Sequence, residues 1–427
     1  MTAVIFSFIM AIIAWVIPGI YYVIKRNYNF TNPIIIFPIF VVFSLLVPFS
    51  ETIFGWSGKF GSLSGLRQIS SEINQQGGSA YIITNIYMII SAFFYFLGIY
   101  CVKGRLIPLN RDYVELMPIK FSKIKVKVIL FLILIPLITL PMILFESNSS
   151  GSYFINQIFS LANFFPALFL LFNSYAFLLS FLVAIPLVFI SLSKGNIFYL
   201  FLWSFMAYDL IKYKIRFKKT LLVILFFLGV SLITTMIEKR SELEFEAEEI
   251  NILYSFFYRE YGYDAFAADV YHNYNDDMIN TRSYIIGDLA EIMPSSVYEY
   301  LTGEKKVRMG NLVGSEIFRE YKITDAGVGF NRYFLTSFYH DLGLFGLILI
   351  SFLFGYLINS WFYRNLNKFK KSENRIYVVR YLTICLNLHF FINGGIYYFL
   401  VTFIMMNIMI SIFQGTYQKV NFNFRKF

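Results

Sequence analysis

The chain has 427 residues, of which 58% are hydrophobic, 20% aromatic and only 15% charged. Soluble domains carry roughly 25% charged residues, so this chain lacks the charge needed to cover a water-facing surface. Its apolar runs are continuous and do not alternate, which excludes an outer-membrane β-barrel. The net charge of +10 is spread over short loops and indicates no nucleic-acid partner. The composition predicts an all-α polytopic membrane protein.

Eight membrane spans are predicted before residue 238. Five of them are single apolar runs near the length of a bilayer span: Thr2–Ile24, Pro33–Phe49, Tyr81–Val102, Val128–Phe145 and Leu221–Ile237. The apolar stretch Tyr153–Leu210 is too long for two spans, and polar residues near Asn173 and Lys194 divide it into three.

Three further spans follow residue 334. The first is Leu335–Phe362, and the stretch Tyr381–Phe413 is divided near Asn393 into two short spans. Basic loops mark the cytoplasmic side of a membrane protein. With the N-terminus outside, 23 of the 26 Lys and Arg residues beyond residues 238–334 fall on the cytoplasmic side. About 11 spans are therefore predicted, with one large loop outside the cytoplasm.

That loop, residues 238–334, is the largest polar region of the chain. It holds 18 of the 26 acidic residues but only 10 of the 36 basic ones, so its net charge is −8 while the rest carries +18. The chain accordingly divides into residues 1–237 with eight spans, the extracytoplasmic loop 238–334 with short helices, and residues 335–427 with three spans and a cytoplasmic tail. Within the loop, Ser296 and Glu299 have capping-box spacing and Gly303 is a stop signal, which predicts one short helix.

The segment Gly327–Gly346, GVGFNRYFLTSFYHDLGLFG, runs from a Gly-rich approach into the start of the ninth span. It resembles the lipid-linked oligosaccharide polymerases (Wzy-type) and the related O-antigen ligases of bacterial surface-polysaccharide pathways. The matching positions are Asn331, Tyr333, Asp341, Gly343 and Gly346. Ligases usually carry a His directly before the Asn, where this chain has Phe330. In ligases the spacing that corresponds to Asn331–Gly343 is also about one residue shorter. Both departures favour the polymerase.

The resemblance implies a glycosyltransferase that polymerises undecaprenyl-diphosphate-linked repeat units into O-antigen, capsule or exopolysaccharide. It places the reaction at the outer face of the bacterial plasma membrane. The donor contains its own leaving group, so no nucleotide, metal or other cofactor is expected. The implied partners are the lipid-linked oligosaccharide and membrane lipids, together with a flippase and a chain-length regulator.

Such a reaction requires a group that removes the proton of the acceptor hydroxyl. Asp341 and its neighbour His340 are the first candidates for the base or its orienting partner, and Glu316 is the third. Each has a simpler interpretation: Asp341 as a helix-terminal acid, His340 as an interfacial side chain, and Glu316 as an ion-pair partner of Arg319 one turn away. Gly343 and Gly346 predict close packing of another helix or a lipid chain against this span.

A second group of residues is predicted to bind the substrate. Isolated cations in an acidic loop suit phosphate oxygens, and an Arg fork fits them especially well. Pairing with nearby acids such as Asp288 or Glu320 is the alternative. The predicted binding residues are Arg282, Lys305, Arg308, Arg319, Asn331 and Arg332.

Two other functions remain open at this stage. One is an O-antigen ligase-like transferase, which differs in its acceptor. The other is a flippase or other transporter of lipid-linked oligosaccharides. Transporters more often carry ionisable residues near the bilayer midplane, whereas the charge of this chain is concentrated outside its spans, which favours the enzyme.

Overall fold

The computed structural model describes residues 1–26, 32–54, 78–103, 262–274, 283–293, 295–303 and 333–372, with scattered helical positions between 178 and 204 and between 377 and 411. The continuous ranges form seven helices and contain no strand. In chain order these are α1 Thr2–Arg26, α2 Pro33–Phe54, α3 Ser79–Lys103, α4 Gly262–Tyr274, α5 Tyr284–Ile292, α6 Ser295–Thr302 and α7 Thr336–Ser372.

Four of these helices are long and apolar enough to cross a membrane. Their candidate spans are Thr2–Tyr21, Pro33–Phe54, Ser79–Val102 and Thr336–Phe369. They coincide with the first, second, third and ninth predicted spans, so the all-α membrane class is confirmed over the described residues. The other seven predicted spans lie wholly or largely outside these residues, and the total of 11 stays a prediction.

The four long helices pack through aromatic rings and small residues. Trp15 of α1 donates from Nε1 to the Met88 carbonyl of α3 at 3.1 Å, and its ring lies beside Phe37 and Tyr95. The contacts Ser7–Asn85 and Trp15–Met88 show that residue numbers increase in the same direction along both helices, so α1 and α3 are parallel. The hairpin partner α2 is antiparallel to them. The three helices share one aromatic core, and the side chains that they expose on the outside are mainly apolar.

Helix α4 belongs to the predicted outer loop, yet it is buried among the ends of α2, α3 and α7. Tyr81 donates to Asp264 at 2.7 Å, and Tyr263 donates to Asn85 at 2.7 Å. Burial, then Tyr333 and Asp264, raises the pKa of the Tyr263 phenol, so it remains a proton donor. Tyr263 is part of the core, so its ring can neither stack on a sugar nor lie on the headgroups.

A kink divides α7 near its start. Gly343 has φ 59° and ψ −147°, a conformation that residues with a Cβ rarely adopt. A Cβ at Gly346 would lie 2.1 Å from the Phe338 carbonyl, which belongs to the turn before the kink. The two glycines therefore allow α7 to fold back on its own first segment, and the predicted packing of another helix or a lipid chain against them stays a prediction. A close helix contact is made by Gly98 and Gly355.

The short helix predicted near Gly303 is present as α6. Gly303 ends it with φ 71° and donates its amide to the Glu299 carbonyl at 2.9 Å. Ser296 is the second residue of the helix and so is not in the capping position expected for it.

Candidate functional site

The first segment of α7 carries His340 into a buried contact with α4. Its Nδ1 lies 2.8 Å from Oδ1 of Asp269, and both side chains are almost fully buried. The ring of Tyr284, the first residue of α5, stacks on the imidazole with centroids 3.7 Å apart and planes 3° from parallel. Three helices that are distant in sequence therefore meet at one histidine.

A carboxylate beside Nδ1 favours the tautomer that carries its proton on Nδ1. The second nitrogen, Nε2, is then the proton acceptor, and the carboxylate stabilises the imidazolium that forms when Nε2 is protonated. The pair of His340 and Asp269 has the chemistry of an oriented general base.

Asp341, the next residue, points to a different helix. Its Oδ1 accepts from the Tyr284 amide at 2.8 Å, and its Oδ2 accepts from Ser283 Oγ at 2.7 Å and from the Ile285 amide at 2.8 Å. Ser283 is the N-cap of α5, and its Oγ also accepts from the Ile286 amide. Both carboxylate oxygens of Asp341 are thus engaged at the positive end of α5. This geometry supports an anchoring role, and the base role assigned to Asp341 from the sequence remains untested.

The start of α7 is held in place by Tyr333. Its hydroxyl lies 3.2 Å from Ser44 Oγ of α2, and its ring stacks on Phe266 of α4 with centroids 5.6 Å apart. Burial raises the pKa of Tyr333, so its phenol stays protonated. Tyr333, a position of the polymerase-like motif, therefore fixes the relative positions of the helices that carry Asp269 and His340.

Among the predicted site residues, the structure brings His340 and Asp341 together at the meeting point of α4, α5 and α7. The others lie outside the described residues: Glu316, Arg282, Lys305, Arg308, Arg319, Asn331 and Arg332.

Sequence reasoning missed Asp269, Ser283 and Tyr284. Asp269 lies 71 residues from His340, so no local spacing connects them. The one signal was the composition of α4, where two acids occur in an Ala- and Tyr-rich stretch that is too apolar for a solvated loop. A buried acid needs a partner, and that requirement could have directed attention to Asp264 and Asp269.

Comparisons of the chain with protein-family models, with curated proteins and with solved structures find no match.

Proposed function

We propose that the chain is a membrane glycosyltransferase that polymerises undecaprenyl-diphosphate-linked oligosaccharide repeat units at the outer face of the bacterial plasma membrane. The observation that carries the proposal is the His340–Asp269 pair, whose histidine lies inside the polymerase-like segment Gly327–Gly346. The segment suggests the reaction class, and the pair supplies the proton acceptor which that reaction needs.

The depth of the pair fits a lipid-linked donor. No charged residue occurs in the 22 residues from Leu342 to Tyr363, and the 20 of them that follow the kink at Gly343 span about 30 Å as a helix, close to the thickness of a bilayer core. His340 and Asp341 therefore lie at one boundary of the bilayer core. A diphosphate attached to a polyprenol lies at the same depth, among the lipid headgroups.

In the proposed reaction, a sugar hydroxyl of one lipid-linked unit attacks the anomeric carbon of another. A new glycosidic C–O bond forms, and the C–O bond to the diphosphate breaks, so that undecaprenyl diphosphate leaves with the electron pair. His340 Nε2 takes the hydroxyl proton, while Asp269 orients the ring and stabilises its positive charge. The predicted cations of the loop, Arg282, Lys305, Arg308, Arg319 and Arg332, would neutralise the departing diphosphate, and Asn331 would contact the substrate.

The test compares His340→Gln and Asp269→Asn with Asp264→Asn. Asp264 is a matched control, because it is also a buried acid of α4 but bonds to Tyr81. Polymer formation would be measured with a synthetic polyprenyl-diphosphate-linked repeat unit and protein in nanodiscs, per amount of folded protein. We expect His340→Gln to lose about 10²–10⁴-fold in rate, Asp269→Asn to lose less and shift the pH profile, and Asp264→Asn to keep its rate. A His340→Gln protein with the wild-type rate would contradict the proposed base.

A lipid-linked oligosaccharide flippase is the second candidate. The observation in its favour is that Asp264, Asp269 and His340 are buried inside the helical bundle, as ionisable residues of proton-coupled transporters often are. The polysaccharide profile of a deletion strain separates the functions. Single capped units without long chains indicate a polymerase, unattached long chains indicate a ligase-like transferase, and lipid-linked units retained on the inner leaflet indicate a flippase.

A further inference from the structure

Helix α6 presents an apolar face that no described residue covers. Val297, Tyr300 and Leu301 occupy positions i, i+3 and i+4, so they share one side of the helix. Their exposed fractions are 44%, 88% and 65%. The polar residues Glu299 and Thr302 lie on the opposite side. This is the pattern of an amphipathic helix whose apolar side faces outwards.

The depth of α5, the helix that precedes α6, is determined by its attachment to α7. The carboxylate of Asp341 accepts hydrogen bonds from Ser283, Tyr284 and Ile285, so the first turn of α5 lies directly against residue 341. Asp341 lies just before the uncharged residues of α7 that follow the kink and match a bilayer core. Helix α5 therefore begins at the boundary between the headgroups and the hydrocarbon.

The exposed apolar surface continues from the span onto the short helices. Leu342, Leu344 and Phe345 are exposed on α7 beside the anchor, and Ile286 and Met293 are exposed at the two ends of α5. Segment 283–303 contains no Lys or Arg. Attraction to anionic headgroups therefore cannot hold it at the membrane, and apart from the attachment of α5 to Asp341 only its apolar side chains can.

We propose that α5 and α6 form an interfacial element in which the Val297–Tyr300–Leu301 face inserts into the outer leaflet of the bilayer. The occupant of this face is lipid, because α6 begins three residues after α5 ends, and α5 is anchored at the end of a candidate membrane span. Tyrosine at such a boundary places its ring among the acyl chains and its hydroxyl among the headgroups. The insertion would hold Tyr284 over His340 at headgroup depth.

The test measures lipid exposure along α6 in nanodiscs. Spin labels would be attached to single cysteines at positions 297, 300 and 301, with positions 299 and 302 as matched controls, after Cys101→Ala and Cys385→Ala. Oxygen, which partitions into lipid, and a water-soluble nickel chelate would be compared as relaxing agents. We expect an oxygen-to-nickel accessibility ratio several-fold higher at 297, 300 and 301 than at 299 and 302. Because the segment carries no basic residue, the ratio should be the same in zwitterionic and anionic nanodiscs.

Two results would overturn the proposal. High nickel accessibility at all five positions would show that the face is in water, and low accessibility to both agents at 297, 300 and 301 would show that protein covers it. The unmodified protein provides an independent measurement. A phospholipid with a photoreactive group at the top of its acyl chain should cross-link within residues 297–301, and its absence from that peptide, with cross-links present on α7, would also contradict lipid insertion.

Discussion

Neighbouring residues on one helix serve different partners at this site. Successive side chains of an α-helix point about 100° apart, so His340 faces α4 while Asp341 faces α5. The motif predicts the acid as the base, yet the acid accepts three hydrogen bonds from a helix N-terminus. The histidine, by contrast, has an oriented ring and a buried carboxylate beside it. The geometry therefore favours His340 as the base and Asp341 as the residue that positions the N-terminus of α5.

Substitution of Asp341 distinguishes these roles. Asparagine keeps one acceptor oxygen, so we expect Asp341→Asn to lower the free energy of unfolding by about 1 kcal/mol and Asp341→Ala by about 2 kcal/mol, as for other caps. Polymerisation should fall in the same order without being abolished by Asn. Thermal unfolding in detergent and the nanodisc polymerisation assay would be measured together. Complete loss of activity in Asp341→Asn at unchanged stability would instead identify Asp341 as the base.

At the scale of helices, α3 and α7 approach each other closely through glycines. A Cβ at Gly355 would lie 2.2 Å from the Tyr95 carbonyl, and one at Gly98 would lie 2.3 Å from the Phe352 carbonyl. Ser91 and Ser351 complete the contact with a 2.8 Å hydrogen bond. Small residues of this kind allow two membrane helices to pack backbone to backbone. The contact holds the part of α7 that follows the kink in register with α3.

Gly355→Ala should therefore force α3 and α7 apart. We expect a loss of about 1–3 kcal/mol, the usual cost of overpacking, because backbone atoms cannot move aside as a flexible side chain can. Gly19→Ala in α1 is the matched control, since its new Cβ would meet only the Ile34 carbonyl at 3.6 Å, an ordinary contact. Thermal unfolding of both variants is the measurement. Equal stability of Gly355→Ala and the wild type would show that the helices are farther apart than described.

For the whole molecule, basic and acidic residues lie at opposite ends of the bundle formed by the four long helices. Helices α1, α3 and α7 run in the same direction and α2 runs against them, so residues 26, 103 and 364–371 lie at one end. These positions are rich in Lys and Arg. The acids Asp264, Asp269 and Asp341 lie at the other end. By the positive-inside rule we predict that the basic end is cytoplasmic and that the His340 site lies outside.

Thiol labelling in spheroplasts tests this orientation. In a Cys101→Ala, Cys385→Ala background, a cysteine at Ser296 should react with a membrane-impermeant maleimide, because α6 is predicted to lie outside. A cysteine at Lys371, the matched position at the basic end, should react only after the membrane is permeabilised. The reverse pattern would invert the molecule and would exclude polymerisation at the outer face.

The sequence by itself determined the membrane class, four of the helical spans and the presence of α6. These depend on local properties: the uncharged residues that follow Gly343 have to be helical in a bilayer, where backbone groups find no water, and Gly303 ends α6 wherever that helix lies. The same local pattern marked residues 340 and 341 as candidates. The local pattern could not assign a role to each residue, because it does not show which distant side chains each of them contacts.

Only the tertiary structure shows which groups these two residues contact. Asp269 and His340 are 71 residues apart, and Ser283 and Asp341 are 58 apart, so neither pair has a spacing that could be recognised along the chain. The structure also buried α4, which its place in a polar loop did not predict. Helix α4 carries acids that pair with Tyr81 and His340, and a buried carboxylate without such partners would be costly. Contacts across the bundle therefore determine which acid orients the histidine and which anchors the helix above it.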